Sequence, residues 1–308
     1  MPRPTLSLVI PIFNEELVIP ELDRRLRAFL GEVGGGVGES WEVIFIDDGS
    51  KDQSLTMLRG LAAAEPSYRV IALARNFGHQ MAITAGVDAA EGDAVVVMDA
   101  DLQDPPEVVS AMVAKWRAGF DVVYGVRDKR HGETWFKRLT AALFYRFLRA
   151  MLGGVKIPVD AGDFRLMSRP VVLTLRALRE HHRFVRGLVA WVGFRQGEVR
   201  YERPARFAGE TKYPLRMATW LGVCSGFLAI ATVAWAVYTK LFVKGVVTGW
   251  TTIMIAVAFG SSAQLLMTGV LGEYVGRIYE EVKRRPLYVV AERLNLPEVV
   301  DAPVVSEK

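Results

Sequence analysis

With 308 residues, 51% of them hydrophobic, the chain is long enough for one large soluble domain plus an appendage. Its 38 basic and 34 acidic residues leave a net charge of +4, too small to argue for nucleic acid as a partner. The single cysteine, Cys224, excludes a disulfide framework and a thiolate metal site.

The chain opens on a strand-like run, not on a basic segment followed by an apolar stretch, so no cleavable signal peptide is read there. The large N-terminal part is expected to stay where it is made. Strand patterns at residues 6–13, 41–46, 69–73, 94–98 and 121–124 alternate with helical patterns at 15–30, 52–64, 79–90 and 106–118. This alternation predicts right-handed βαβ units and an α/β, mostly parallel sheet with helices on both faces. Ligands bind such sheets beyond the carboxyl ends of the strands. Three of the predicted strands end in polar clusters that converge on one edge: Pro11-Ile12-Phe13-Asn14-Glu15, Asp47-Asp48-Gly49-Ser50 and Asp99-Ala100-Asp101.

The third cluster continues through Leu102, Gln103 and Asp104 and stops at Pro105-Pro106, which places carboxylates on the rim of the sheet. Rim acids with a neighbouring amide oxygen suit Mg²⁺ or Mn²⁺, ions held by one or two carboxylates together with substrate phosphates. They point to a nucleotide-diphosphate substrate; taken alone, the same acids fit helix capping as well. The glycines at 34–38 follow a helix and precede a strand, the reverse of a dinucleotide fingerprint, and read as a flexible connection. No P-loop motif occurs.

Residues 134–152 mix aromatic and basic positions at helical spacing, which fits either a helix in the headgroup layer or an amphipathic helix on the sheet. The apolar segments downstream favour the first. A short region at 162–166, a helical run at 169–179 and a strand near 198–201 complete this part. Between Arg216 and Lys240, and between Lys244 and Glu273, no Asp, Glu, Lys or Arg occurs, so each window can hold a bilayer-spanning helix. Basic residues before the first and after the second place both termini in the cytoplasm. The expected divisions are 1–130 (nucleotide-binding core), 131–215 (juxtamembrane part of the same domain), 216–243 and 245–272 (transmembrane helices) and 273–308 (cytoplasmic tail).

The three strand-end clusters, with Arg206-Phe207-Ala208-Gly209-Glu210-Thr211-Lys212-Tyr213 before the spans and Gly272-Glu273-Tyr274-Val275-Gly276-Arg277 after them, resemble family 2 glycosyltransferases that act on polyprenyl phosphates. The likeness is to bacterial undecaprenyl-phosphate (bactoprenol) glucosyltransferases and dolichyl-phosphate mannose synthases, and it covers essentially the whole chain. It implies a GT-A, Rossmann-like core in the cytoplasmic membrane of a cell and inverting transfer of a hexose, glucose from UDP-glucose in the first place, to a polyprenyl phosphate for cell-envelope glycans. GDP-mannose, a UDP-N-acetylhexosamine or a UDP-aminoarabinose derivative are the other donors it leaves open. By the same resemblance Pro11, Phe13, Asn14 and Glu15 border the nucleotide, Phe13 standing where the family usually has Tyr. Asp47 and Asp48 reach base and ribose, and Asn76, Asp99 and Ala100 complete the donor site. Asp99, Asp101 and Gln103 hold Mg²⁺ or Mn²⁺. Arg127, Arg138, Arg206 and Lys212 meet phosphates of donor or acceptor, and Asp163 sits near the reacting centre, with Asp101, Arg206 and Lys212 counted alongside it as catalytic. Relatives with paired spans point to a homo-oligomer. Helix capping by Asp47 or Asp48 and headgroup contacts by the arginines are the alternatives for those residues. A processive polysaccharide synthase is disfavoured by the lack of a Q-x-x-R-W motif and of further spans. A non-catalytic scaffold is disfavoured by intact acids at all three strand ends.

Overall fold

The computed structural model describes residues 4–33, 40–127, 161–201, 230–239, 241–242 and 249–296. In these residues the strands β1 (Leu6–Ile12), β2 (Trp41–Asp47), β3 (Tyr68–Leu73), β4 (Ala94–Val97), β5 (Val122–Arg127), β6 (Ala161–Ser168), β7 (Gln196–Tyr201) and β8 (Val290–Leu294) form one sheet, in the order β7-β5-β6-β4-β1-β2-β3-β8. The centre is parallel: β1 pairs with β2 and β4, and β2 with β3. β6 runs antiparallel between β4 and β5, while β8 runs antiparallel along β3. The helices of this unit are α1 (Ile19–Val33), α2 (Ser54–Ala64), α3 (His79–Ala89), α4 (Val108–Arg117), α5 (Arg169–Ala177) and α6 (Val185–Trp191).

The continuous apolar run of β1 follows from burial on both faces. Leu6, Leu8, Ile10 and Ile12 share a core with Leu22 and Leu26 of α1, Leu58 of α2 and Met112 of α4. Val9 points the other way, into a core with Ile44, Ile46, Ala82 and Ile83 of α3, Val172 of α5 and Leu188 of α6. Gly86 lets α3 sit close: a Cβ there would lie 2.3 Å from Val9 Cγ1 and 2.6 Å from Ile46 Cδ1.

Pro11 stands in a central strand, where a missing N–H would ordinarily cost a ladder bond. The register explains its place. Val9 O accepts Met98 N–H and Ile12 O accepts Asp48 N–H, so alternate residues of β1 face β4 and β2 in turn. Pro11 faces the β4 side, and the β4 pairing ends at Val9 with Val97. The missing donor therefore lies where β1 and β4 part, the point at which strand order reverses and α/β sheets bind ligands.

The structure departs from the sequence expectations at several elements. The first helix begins at Ile19, four residues after the expected start, because residues 14–16 are engaged in loop hydrogen bonds. β6 was not expected as a strand, since Asp163 and Arg165 interrupt its apolar pattern; both are buried. The seven-residue α6 was likewise unexpected. The residues expected as a tail supply β8: Tyr288 donates to Asp88 Oδ2 at 2.8 Å, and Asn295 Nδ2 donates to Ala62 O at 2.7 Å and Tyr68 O at 2.9 Å. The chain accordingly divides into one unit of 1–209 with 286–308 and a second of 210–285.

In the second unit a short apolar helix, α7 (Ile230–Thr239), precedes α8 (Trp250–Val282), and Trp235 meets Trp250 edge to face at 5.7 Å. Among the described residues α8 alone is long and apolar enough to cross a membrane. It extends past the expected end at residue 272, and Ile253, Phe259, Leu265 and Val270 stand exposed on it. The expected helix at 134–152, the glycines at 34–38 and most of the first apolar window lie outside the described residues.

Candidate active site

The loops after β1 and β2 are stitched together through side chains. Asn14 N–H donates to Ser50 Oγ at 3.0 Å, and Asn14 Oδ1 accepts Lys51 N–H at 2.8 Å. Glu15 N–H donates to Ser54 Oγ at 2.9 Å. Asn14 adopts φ +53°, a left-handed conformation that Asn tolerates better than most residues. Phe13 and Glu15 are half-buried beside it.

The two acids ending β2 have different surroundings. Asp48 accepts Phe77 N–H on Oδ1 at 2.7 Å and Gly78 N–H on Oδ2 at 2.9 Å, so it anchors the start of α3. Gly78 reaches this position with φ +99°. Asp47 Oδ2 accepts Ser50 N–H at 3.2 Å, while its buried Oδ1 has no hydrogen-bond partner. Burial pushes both carboxyls above their ordinary range. Asp47 is thus the member of the pair with an acceptor to offer a ligand donor. Asn76 is exposed, and its carbonyl accepts the Arg75 guanidinium at 2.9 Å.

Beyond β4, Asp99, the buried Ala100, the buried Asp101 and Gln103 occupy one loop, with Leu102 at φ +59°. Asp101 Oδ1 accepts Gln103 N–H at 3.1 Å. Asp99 Oδ1 is buried and accepts no hydrogen bond. Burial, joined by the carboxylates of Asp104, Asp101 and Asp163 against the opposing charge of His79, pushes Asp99 up to about 6. An acid kept from ionising by burial and other acids, with an oxygen that accepts no hydrogen bond and, among the described residues, has only His79 nearby, fits a divalent cation. Asp99 and Asp101 are the acids of this loop, and among the described residues no group of three or more His, Cys, Asp or Glu is placed to hold a metal by itself. Tyr201, at the end of β7, donates to the buried Asp104 in the same loop, and Arg127 at the end of β5 lies in register with Tyr201.

Asp163, near the start of β6, is the hub of the site. Arg186 Nε donates to its Oδ1 at 2.9 Å and Arg186 Nη2 to its Oδ2 at 3.2 Å. Gln80 Nε2 donates to Oδ2 at 3.2 Å. His79 Nε2 lies 3.4 Å from that oxygen and 3.5 Å from Asp99 Oδ1, so it joins the hub to the acid loop. Burial opposes ionisation of Asp163, but hydrogen bonds from His79 and Arg186 and the charge of Arg165 hold its carboxyl far below the usual range. Burial opposes protonation of His79, and Asp163 with Asp99 nonetheless raises its affinity for a proton. Arg165 is buried, donates to Gly162 O at 2.8 Å, and burial lowers it to about 10.

The structure therefore brings Asp99, Asp101 and Asp163 together, sets Asp47 and the 13–16 loop at the neighbouring strand ends, and uses Asp48 as an anchor for α3. Arg138, Arg206 and Lys212 lie outside the described residues. Sequence reasoning missed His79, Gln80, Arg165 and Arg186. The signal for the first two was their place at the start of a helix directly after a strand, where side chains reach the ligand edge of such a sheet.

Residues 7–176 match the family model for glycosyl transferase family 2. The uncharacterized glycosyltransferase YkcC of Bacillus subtilis is 47% identical over 94% of this chain and 94% of its own. The SfII prophage-derived bactoprenol glucosyl transferase of Shigella flexneri is 38% identical over 92% of this chain and 97% of its own. Among solved structures, a complex of the mannosyltransferase PcManGT from Pyrobaculum calidifontis with GDP-Man and Mn²⁺ has a TM-score of 0.47 at 19% identity, covering 87% of this chain and 80% of that one.

Proposed function

The chain belongs to glycosyl transferase family 2, and from that premise we propose that it moves a hexose, with UDP-glucose as the leading donor, onto the phosphate of a membrane polyprenol such as undecaprenyl phosphate. Relatives named bactoprenol glucosyl transferases, 36% to 38% identical over at least 92% of this chain, support a glucosyl group as the sugar and a bactoprenol-type acceptor.

The observation that carries the reading is the state of Asp163. Both its oxygens are engaged by cationic and amide donors, and its proton affinity is strongly depressed, which suits an orienting anion and not a general base. A sugar-hydroxyl acceptor needs such a base. A phosphate monoester does not: with a second pKa near ~6 it is largely a dianion at neutral pH. Its oxygen attacks the anomeric carbon in line as the bond to the nucleotide diphosphate breaks, the electron pair leaving with the diphosphate and the configuration inverting. Departure of the diphosphate is the hard step. A divalent cation, when held by Asp99 and Asp101 with Gln103 beside them, supplies positive charge to that leaving group. Asp47 and the 13–16 loop take the nucleoside, and Asp163 keeps Arg186 and His79 aimed between donor and acceptor.

Membrane attachment is supported by α8, which is apolar and, at about 50 Å, long enough for one crossing. Two spans with cytoplasmic termini belong to the proposal, carried by the two windows without Asp, Glu, Lys or Arg and the basic residues that flank them.

Purified full-length protein incubated with undecaprenyl phosphate and, in turn, labelled UDP-glucose, GDP-mannose and UDP-N-acetylglucosamine tests the reading. Label from UDP-glucose is expected in the organic-extractable lipid. Label from another donor alone would replace the donor assignment, and label from none would remove the function.

A further inference from the structure

α6 starts without a cap of its own, since Phe184 at its N-cap makes no side-chain hydrogen bond to the first turn. The first N–H groups of a helix are unsatisfied until something outside the helix accepts them. Here that acceptor comes from another part of the fold: Val185 N–H donates to Gln80 Oε1 at 3.1 Å. The other end of the same amide, Gln80 Nε2, donates to Asp163 Oδ2 at 3.2 Å. One side chain thus spends its acceptor on the entry of α6 and a donor on the hub carboxylate. Arg186, the residue after Val185, comes back from α6 to grip Asp163 through two nitrogens.

Gln80 is itself placed with care. It lies in the first turn of α3, whose entry is fixed by the paired Phe77 and Gly78 N–H bonds to Asp48 at the end of β2. α3 seats on β1 and β2 at Gly86 without room for a Cβ. A rigid path therefore runs from the strand end on the donor side, through α3, to the helix that carries Arg186.

We propose that Gln80 is a positioning residue for the transfer reaction: it locks Asp163 and the entry of α6 to α3, and so sets the angle at which Arg186 meets the reacting groups. The proposal rests on the glycosyl-transfer reading of this site. It separates two jobs that ordinary packing would not. Gln80→Glu keeps an oxygen for Val185 N–H and so keeps the helix cap, but it puts a carboxylate where a donor faced Asp163. Gln80→Met removes both bonds at nearly constant volume.

The test is steady-state transfer of label from UDP-glucose to undecaprenyl phosphate by full-length protein, alongside apparent melting temperature. For Gln80→Glu, kcat is expected to fall by about 10- to 100-fold, the scale of a small misplacement of reacting groups, with donor KM within about twofold of wild type and any loss of melting temperature from the two facing carboxylates recovering as pH is lowered. The deficit should shrink as pH is lowered, because protonation of the introduced carboxylate restores a donor toward Asp163, whereas the deficit of Gln80→Met should not. If Gln80→Met fails to fold, the pH profile of Gln80→Glu against wild type still decides. A Gln80→Glu enzyme with wild-type kcat would reduce Gln80 to a helix cap and overturn the proposal. A fall in kcat that tracks a lower melting temperature, with no pH recovery, would do the same. Wild-type protein that transfers from no donor would instead remove the underlying function.

Discussion

Replacing Asp163 by Asn removes the one negative charge that Arg186, Arg165 and His79 share while keeping the shape of the side chain. The cost can be worked from its partners. Arg186 is about half exposed, so losing its partner costs little, under about 1 kcal/mol. Arg165 is 4% exposed and, with its guanidinium 3.8 Å from Asp163, would be left buried without a counter-charge. Breaking a buried pair in this way costs about 3–5 kcal/mol. The low end applies, because Arg165 keeps its bond to Gly162 O and the new amide oxygen still accepts from Arg186. About 3 kcal/mol in a folding unit of about 200 residues lowers the melting temperature by about 6–12 °C. The sign with pH follows from the depressed carboxyl. Its contribution is in place above the ordinary carboxylate range, about pH 4, and is lost only as pH falls through the lower native value. Asp163 also raises His79, whose share is present below about pH 6.5 and is lost as pH rises through its higher native value, so the difference between wild type and variant should be largest near pH 5 and shrink toward pH 8. Thermal unfolding of the full chain in detergent, followed by intrinsic fluorescence at several pH values, reads this directly, and turnover in the same samples should fall by at least ~100-fold. A variant melting within about 2 °C of wild type, or a difference that grows between pH 5 and 8, would refute the reasoning.

Three further outcomes follow from other parts of the structure. Asp99, raised to about 6, is ionised in the native state only at a cost, so Asp99→Asn should stabilise the metal-free protein above about pH 6, lose that advantage toward pH 4, and abolish transfer; equal stability at all pH values would contradict its burial among acids. Gly86→Ala drives a methyl into Val9 and Ile46 and should cost about 1–3 kcal/mol in thermal melts, with kcat falling because α3 carries His79 and Gln80; unchanged melting would show that α3 does not sit where described. Asn295→Ala strips donors from two carbonyls at a left-handed position, φ +56°, and should destabilise the catalytic unit by about 2 kcal/mol in the same melts. No effect would mean that β8 is dispensable.

The parallel half of the fold was legible because β1 to β4 are apolar runs buried on both faces and the helices between them keep a helical period. β6 was hidden by its own function: Asp163 and Arg165, placed inward to build the hub, break the apolar run that marks a strand. β8 reads as a polar tail because it is a short edge strand with Glu292 and Arg293 in its middle, and its pairing with β3 joins residues more than 200 positions apart. The same distinction holds in the site. Asp99 and Asp101 announce themselves by lying at the end of a run of valines, whereas Arg186 becomes visible only when the fold brings it to a carboxylate 23 positions away. Asp48 shows what sequence leaves open: an acid at the right strand end could meet a ligand or anchor the next helix, and in the fold its oxygens accept the Phe77 and Gly78 N–H groups ahead of α3.

The central claim is that carboxylates beyond β4 support departure of a nucleotide diphosphate while a lipid phosphate takes the sugar. It is tested most directly by the rate at which wild type and Asp101→Asn move label from UDP-glucose to undecaprenyl phosphate with saturating Mn²⁺. The account predicts a labelled lipid from wild type and a rate at least ~100-fold lower from the variant, with the fold intact by melting temperature. Comparable rates from the two proteins would contradict it.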